Sequence, residues 1–210
     1  AAICLVGSVQ AGDHKVEHSP QVRKEYWMKD SKPAALNMTG WERDSYPLGN
    51  GYFGVNFFGG VKQELFQFSE PTVFAHNKSR KTHYLAFSSA IELLLETDHN
   101  SDSDYSRSLD LMQGIGRTTY KSNGTTFHRE ILTSYPDNCF AVRLTADKGQ
   151  QITFRLNAKH SYPGEDRAVK AEVEDDVVIL TGIPEPTKTI YQARIAVEIE
   201  GGSKHVLSSN

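Results

Sequence analysis

The sequence predicts an all-β fold in which two antiparallel sheets pack as a sandwich, with few or no helices. Apolar residues recur at every second position in short runs, and Gly, Asn and Asp separate those runs. The runs also follow one another closely, as strands do in antiparallel sandwiches. An all-β chain of 210 residues commonly forms a single domain. One main domain is therefore expected.

The first hairpin is predicted between residues 53 and 68. Phe53, Val55 and Phe57 alternate with smaller or polar residues, as they do in a half-buried strand. The pair Gly59-Gly60 supplies the backbone freedom of a tight turn, and residues 65–68 form the returning strand. The sequence therefore places a β-hairpin early in the domain.

The middle of the chain predicts further hairpins. Strands at 118–121 and 125–133 are joined by Ser122-Asn123-Gly124, and Asn-Gly favours a type I′ turn. Two more alternating runs flank a turn at 146–149: Phe140, Val142 and Leu144 before it, and Ile152, Phe154 and Leu156 after it. The antiparallel pattern thus continues through this region.

The carboxy-terminal part follows the same pattern. A turn at Asp175-Asp176 precedes a strand at 177–181. Five alternate side chains then share one face of a strand: Tyr191, Ala193, Ile195, Val197 and Ile199. Gly201-Gly202 predicts a turn that opens another strand, which would leave a sheet edge unpaired at Asn210. We therefore expect more chain to follow.

Three segments are harder to assign. Residues 90–97 fit helical and strand spacing equally, and we favour the strand. Residues 74–85 are polar and basic, and residues 157–166 lack alternation, so both are predicted to be surface loops.

The first eleven residues form an apolar stretch. It ends in the small-x-small pattern Val9-Gln10-Ala11, which signal peptidases accept. We interpret residues 1–11 as the remnant of an export signal, which predicts a secreted or periplasmic protein; the alternative is an ordinary buried strand. Residues 12–40 are a lead-in segment, and the sandwich domain is expected to occupy residues 41–210.

Composition excludes several classes of partner. The chain has 23 Lys and Arg against 26 Asp and Glu, a formal charge of −3, and no basic block that would follow a phosphate backbone. Nucleic acid is therefore not expected as a partner, and no segment is apolar for long enough to span a bilayer. Only Cys4 and Cys139 are present, which excludes a disulfide framework, and Cys139 is expected to be a packed side chain.

The familiar catalytic and metal-binding motifs are absent, so no cofactor and no metal site is predicted. The His residues are scattered and are expected to be solvated or locally hydrogen-bonded; they include His76, His83, His99, His128 and His160. The acidic stretch 98–104 is predicted to be a solvated turn rather than a calcium site.

A sugar-cleaving enzyme needs two carboxyl groups that flank the scissile bond. Glu42, Asp44 and Glu70 are near aromatic residues in the sequence, as carboxylates of sugar sites often are. We favour the simpler interpretation, in which Trp41 packs on the sandwich while Glu42 and Asp44 face solvent beside Arg43.

The most informative segment is Tyr46-Pro-Leu-Gly-Asn-Gly-Tyr-Phe-Gly54. Pro47 stiffens its start, Gly49 and Gly51 permit conformations closed to other residues, and Asn50 presents an amide on a turn. It is either the simple start of a hairpin or part of a functional surface. For the second case, the candidate substrate-binding or domain-interface residues are Trp41, Glu42, Arg43, Tyr46 and Asn50.

This segment and the residues after it resemble the amino-terminal domain of family 95 glycosidases. The first block of similarity is Tyr46–Val55, Phe57–Val61, Gln63-Glu-Leu65 and Gln67–Thr72. The second block is Asp104–Leu111, Thr119-Tyr120, Phe127–Glu130, Ser134–Asp137 and Phe140–Leu144. The similarity runs in family order from about Trp41 to Leu156, so it covers most of the chain.

The resemblance implies an exo-acting, inverting hydrolase that removes terminal α-linked L-fucose, or the related L-galactose, from glycans. It also implies that this β-domain precedes a helical (α/α)6 barrel that holds the catalytic groups. No catalytic residue is therefore assigned here, and the expected partners are the downstream barrel and, through it, a glycan.

The sequence also departs from the family pattern. The family usually has a Trp shortly after the motif that matches Glu70-Pro71-Thr72, where Phe74 stands here, and a helical insertion before Ile91–Glu96 is shortened. Two other classes therefore remain open. One is a freestanding carbohydrate-binding module in which Trp41, Tyr46 and Tyr52 form a stacking platform, and the other is a surface adhesion domain.

Overall fold

The computed structural model describes residues 2–7, 26–76, 85–101, 103–160, 167–184 and 190–206. Within them lie fourteen strands and one short helix, which confirms the predicted all-β class. The strands are β1 (Ala2–Gly7), β2 (Trp27–Asp30), β3 (Tyr46–Gly49), β4 (Gly54–Phe57), β5 (Gln63–His76), β6 (Leu85–Glu96), β7 (Ser103–Asp110), β8 (Ile115–Ser122), β9 (Thr125–Ser134), β10 (Cys139–Ala146), β11 (Arg155–His160), β12 (Arg167–Glu174), β13 (Val177–Pro184) and β14 (Tyr191–Ile199). The helix, α1, spans Met38–Arg43.

The strands form two sheets, as predicted. The larger sheet has nine strands in the order β12-β13-β14-β1-β10-β9-β8-β7-β2, and the smaller has five in the order β11-β6-β5-β4-β3. Neighbouring strands are antiparallel except β1, which runs parallel to both β10 and β14. Since β2 and β3 end their respective sheets, they form one side of the sandwich.

The predicted turn chemistry explains two hairpins. Asn123 and Gly124 both have positive φ, 49° and 71°, which is the type I′ geometry expected from Asn-Gly between β8 and β9. Asp175 and Asp176 also have positive φ, 47° and 64°, between β12 and β13. Positive φ at both central positions matches the right-handed twist of the flanking strands.

Alternating apolar side chains from both sheets meet in one core. Phe57, Phe66, Leu95, Ile131 and Phe140 are fully buried. The rings of Phe66 and Phe140 meet edge to face across the two sheets, with centroids 5.1 Å apart. Burial of these side chains supplies the main driving force for packing one sheet on the other.

Strand β14 confirms the predicted alternation. Ala193 and Ile195 are each 3% exposed, while Gln192, Arg194 and Glu198 face solvent. Residues 90–97, for which periodicity was ambiguous, lie almost entirely in β6, so the strand interpretation is also confirmed. The pairing of β6 with both β5 and β11 decides the ambiguity that periodicity leaves open.

Two loop predictions were wrong in part. Strand β5 continues to His76 and β6 begins at Leu85, so both ends of the predicted loop 74–85 are paired strands. Residues 157–160 belong to β11, because alternate side chains such as Ala158 pack against the core while Lys159 faces out. The central parts of both loop predictions, 77–84 and 161–166, lie outside the described residues.

The first and last described segments were each given a specific prediction from the sequence. Residues 2–7 form β1, which lies between β10 and β14; the interpretation of residues 1–11 as the remnant of an export signal stays a prediction. The lead-in segment contributes β2, which pairs with β7. Gly201 and Gly202 have positive φ, as expected for a turn, but no strand follows through residue 206.

Candidate functional site

Helix α1 presents three of the sequence-predicted site residues. The Asn37 side chain caps its start, because Oδ1 accepts a hydrogen bond from Gly40 N at 2.8 Å. At its end, Ser45 Oγ donates to the Trp41 carbonyl at 2.7 Å. Trp41 is 44% exposed, and Glu42 and Arg43 are also exposed. The expectation that Glu42 and Asp44 face solvent is therefore confirmed, whereas Trp41 is only half covered.

Asn50 holds the turn between β3 and β4 against a distant part of the chain. Its Oδ1 accepts hydrogen bonds from Tyr52 N and Phe53 N, both at 2.9 Å. Its Nδ2 donates to the Ser134 carbonyl at 2.9 Å and to Asn138 Oδ1 at 3.3 Å. With the side chain nearly buried, both ends of the amide are used within the protein. Asn50 therefore orders this turn and leaves Tyr52 on its outside, 59% exposed.

Tyr46 lies in the interior rather than on the surface. It is 4% exposed, and its hydroxyl donates to Asp30 Oδ2 at 2.6 Å. The Arg107 guanidinium stacks over its ring, with Cζ 4.3 Å from the centroid. Burial and the hydrogen bond to Asp30 raise the pKa of Tyr46 to about 12. A stacking platform that includes Tyr46 is therefore wrong, although Trp41 and Tyr52 remain exposed.

Eight of the twelve large apolar side chains that are exposed among the described residues belong to β2, to α1 or to the segments that flank β2, β3 and β7, on the side where β2 and β3 end the two sheets. The hydrogen bond from Tyr46 to Asp30 joins β3 to β2, and Leu111 N donates to the Tyr26 carbonyl at 2.9 Å. We call this side the apolar edge; its members are Tyr26, Met28, Leu36, Met38, Trp41, Tyr52, Leu111 and Met112, each at least 40% exposed. Because contiguous exposed apolar surface marks interaction sites, the apolar edge is a candidate for one.

A buried ion pair joins the two sheets near this edge. Glu64 on β5 is fully buried, and its Oε2 accepts a hydrogen bond from Arg129 Nη1 on β9 at 2.5 Å. Its Oε1 accepts from Phe58 N at 2.7 Å and from Gly59 N at 2.9 Å. Complete burial raises the pKa of Glu64, while Arg129 and the two backbone donors oppose that shift. Every contact around this carboxyl is a donor, which suits the carboxylate form.

Arg107 is a second buried arginine besides Arg129, and it links the apolar edge to the turn that contains Phe58 and Gly59. Arg107 is 1% exposed, donating through Nη1 to the Phe58 carbonyl at 2.8 Å and through Nη2 to Asp30 Oδ2 at 2.7 Å. The hydrogen bond from Tyr46 lowers the pKa of Asp30, and Arg107 lowers it further. Desolvation of the carboxylate raises this pKa, but by less. Tyr105 OH donates to the Gly59 carbonyl at 2.7 Å. These contacts tie β2 and β3 to the interior.

Sequence reasoning missed these buried charges, although a signal was present. Glu64 shares its strand parity with Phe66 and Phe68, and Arg129 shares its parity with Phe127 and Ile131. Because alternate residues of a strand point to the same face, both charged side chains must point into the core. A charge at a core position implies a buried partner.

The third polar feature is a small cleft between the sheets, lined in part by His99, Tyr120 and Phe127. His99 Nδ1 lies 2.8 Å from Tyr120 OH, and the His99 ring lies against Phe127 with centroids 3.9 Å apart. Burial lowers the pKa of His99. For His99, the prediction of a locally hydrogen-bonded histidine is confirmed.

The described side chains do not form a metal-binding site of the usual kind. Among the described residues, no three His, Cys, Asp or Glu side chains lie together in a way that could hold a metal ion. Glu64 is enclosed by its own partners and cannot reach a substrate. No helix within the described ranges is long and apolar enough to cross a membrane. The described surface thus offers the apolar edge as its main candidate for interaction.

Comparisons with known proteins show which proteins this chain is similar to. Residues 74–210 match the family model described as glycosyl hydrolase family 65, N-terminal domain. The chain is 24% identical to alpha-L-fucosidase 2 from Arabidopsis thaliana over 167 residues, which covers 60% of this chain and 20% of that protein. It is 28% identical to probable alpha-fucosidase A from Aspergillus niger over 147 residues, which covers 69% of this chain and 18% of that protein. The chain thus spans about a fifth of the length of these relatives.

Proposed function

Since this chain belongs to the family of glycosyl hydrolase family 65 N-terminal domains, we propose that it is the non-catalytic amino-terminal domain of an α-L-fucosidase-like enzyme of glycoside hydrolase family 95. Both relatives bear fucosidase names, and each is about five times as long as the segment matched here. The proposal places the groups that cleave the glycosidic bond in the part of the enzyme that this chain does not match.

The apolar edge is the single observation on which we base a supporting, non-catalytic role for this domain. A domain that functions alone gains nothing from exposing Met38, Trp41 and Tyr52 together, because grouped apolar surface promotes association. A domain that packs on a catalytic partner buries such a surface and gains its hydrophobic free energy. We therefore propose that the segment from Trp41 to Gly51, with the rest of the apolar edge, faces the catalytic part of the enzyme, an (α/α)6 barrel.

The chemistry of carboxylates supports the same division of labour. Glycosidases place two carboxyl groups on opposite sides of the scissile bond, about 6.5–9.5 Å apart when the enzyme inverts the anomeric centre. Glu64 is sealed inside the sandwich, and Glu42 lies exposed on the short helix α1. We propose that the complete enzyme supplies both carboxyl groups from its barrel and acts as an exo-enzyme with inversion on terminal α-linked L-fucose or L-galactose.

The export prediction belongs to this proposal. Terminal fucose occurs on glycans outside the cell, and the small-x-small pattern at 9–11 is of the type that signal peptidases accept. We propose a secreted or periplasmic enzyme.

The complete enzyme provides the test of this function. Incubated with an aryl α-L-fucoside and followed by proton NMR, it should release L-fucose whose first-formed anomer is β, because inversion changes the configuration of the anomeric carbon. The matched aryl β-L-galactoside, which has a different sugar and the opposite anomeric configuration, should remain intact. Release of the α anomer first would contradict the inverting mechanism, and no release of fucose would contradict the activity.

A titration separates this proposal from a freestanding carbohydrate-binding module. We expect fucosylated oligosaccharides to give no saturable heat of binding with this chain, because Tyr46 is buried and cannot join Trp41 and Tyr52 in a platform. Saturable binding that is lost in Trp41→Ala would instead favour the module.

A further inference from the structure

Thr118 lies between two buried arginines on the inner face of the nine-stranded sheet. The strand register pairs Arg107 on β7 with Thr118 on β8, and Thr118 with Arg129 on β9. Residues paired in this way share one face of the sheet. The exposed fractions of the three residues are 1%, 0% and 2%, so the row is closed to bulk solvent.

Each residue of this row has one polar atom without a hydrogen-bond partner in the described part of the chain: Arg107 Nε, Thr118 Oγ1 and Arg129 Nε. The Nη1 atoms of both arginines are engaged, with the Phe58 carbonyl and with Glu64 and the Gly60 carbonyl respectively. A buried polar group without a partner is costly, and such groups are rare in folded proteins. Three of them in adjacent positions of one sheet point to bound solvent.

We infer that an internal water molecule binds beside Thr118, accepting a hydrogen bond from the Nε–H group of a flanking arginine and donating one to Thr118 Oγ1. Neighbouring strands lie about 4.8 Å apart, which is too far for a direct hydrogen bond between facing atoms and is spanned by a single water. Buried waters of this kind bind to polar groups that otherwise have no partner.

The charge around the row favours water over a halide ion. The two guanidinium groups are already paired, Arg107 with Asp30 and Arg129 with Glu64. An added anion would leave one uncompensated negative charge in a closed, poorly solvated space, which is unfavourable. A neutral molecule that both accepts and donates hydrogen bonds pairs Thr118 Oγ1 with a flanking Nε–H group without changing the charge.

A crystal structure of the protein tests the site directly. We expect a fully occupied water peak within hydrogen-bond distance of Thr118 Oγ1 and of at least one of the flanking Nε atoms. Crystals soaked in bromide should show no anomalous peak there. A bromide peak in the row, or a row without solvent density, would overturn the inference.

The sign of one stability change provides an independent test. Thr118→Val keeps the shape of the side chain but removes the hydroxyl. If water is bound to that hydroxyl, Tm falls by about 2–6 °C, because a hydrogen bond is lost and the water loses a partner. If the hydroxyl has no partner, its removal relieves a buried polar group and Tm stays the same or rises, which would contradict the inference. Thr119→Val, on the outer face of the same strand, is the matched control: its hydroxyl lies 3.1 Å from His128 Nδ1 in an exposed contact, and its loss should change Tm by less than about 2 °C.

Discussion

The buried Glu64 carboxylate is tolerated in the core because donors surround it, and donors also hold the partly exposed carboxylate of Asp30. Glu64 accepts hydrogen bonds from Arg129 and from two backbone N–H groups, and Asp30 accepts from Tyr46 and Arg107. Desolvating a carboxylate costs several kcal/mol, and only a well-placed cation with further hydrogen bonds offsets that cost. These contacts specify how the turn at 58–60 sits between the sheets, which apolar packing alone does not fix.

The buried pair should be sensitive to loss of one partner. Arg129→Met removes the cation that pairs with Glu64 in the core, so we expect the free energy of unfolding to fall by about 3–5 kcal/mol in urea denaturation. Arg143→Met removes an exposed cation that pairs with Glu130 and should cost less than about 1 kcal/mol. Equal losses for the two variants would show that the Glu64–Arg129 pair has no special role.

His99 makes a pH-dependent contribution to stability. Burial lowers the pKa of His99 below its ordinary value of 6.5, so the folded protein binds a proton there less readily than the unfolded chain. The contribution is complete above pH 6.5 and is lost as the pH falls from there through the folded-state pKa. We therefore expect Tm of the native protein to fall more steeply on acidification below this pH than Tm of His99→Gln. Parallel curves would exclude the contribution.

Among the elements, α1 and the turn after β3 depend on small and polar residues rather than on apolar burial. A Cβ added at Gly40 would lie 2.0 Å from the Ala35 carbonyl oxygen, so only glycine permits this approach. Asn50 joins the turn to the end of β9 through the Ser134 carbonyl. These two contacts set where Trp41 and Tyr52 emerge on the apolar edge.

Asn50→Ala should loosen the turn. It removes the acceptor used by Tyr52 N and Phe53 N and the donor to Ser134, so we expect a loss of about 2 kcal/mol in the free energy of unfolding. Tyr52→Ala removes an exposed side chain from the same turn and should cost less than about 0.5 kcal/mol. Hydrogen exchange at Phe53 N should accelerate in the first variant only; no difference between the variants would contradict the role of Asn50.

The strands were predictable because alternation and turn residues are local properties of the sequence. Asn123-Gly124 and the alternation along β14 required no knowledge of distant residues. The polar strand ends were not predictable, because β11 becomes a strand by pairing with β6, far away in the chain. The buried position of Tyr46 was not predictable either, because its partner Asp30 lies 16 residues earlier in the chain, outside the segment Tyr46–Gly54.

For the whole molecule, the account predicts that the apolar edge is buried in the complete enzyme. Trp41→Asp should lower the activity of the complete enzyme at least about tenfold, because a charge at a buried interface costs more than 1.4 kcal/mol. Val173→Asp is the matched control, since Val173 is 42% exposed on the opposite side of the sandwich while Trp41 is 44% exposed. In the isolated chain both substitutions should leave Tm nearly unchanged. Equal activity of the two enzyme variants would place the interface elsewhere.

The central claim is that this sandwich supports a catalytic partner and does not itself cleave glycosidic bonds. The most direct measurement is the release of L-fucose from an aryl α-L-fucoside by this 210-residue chain, compared under the same conditions with the complete enzyme. The account predicts release by the complete enzyme and none by the chain alone. Turnover by the chain alone would contradict it.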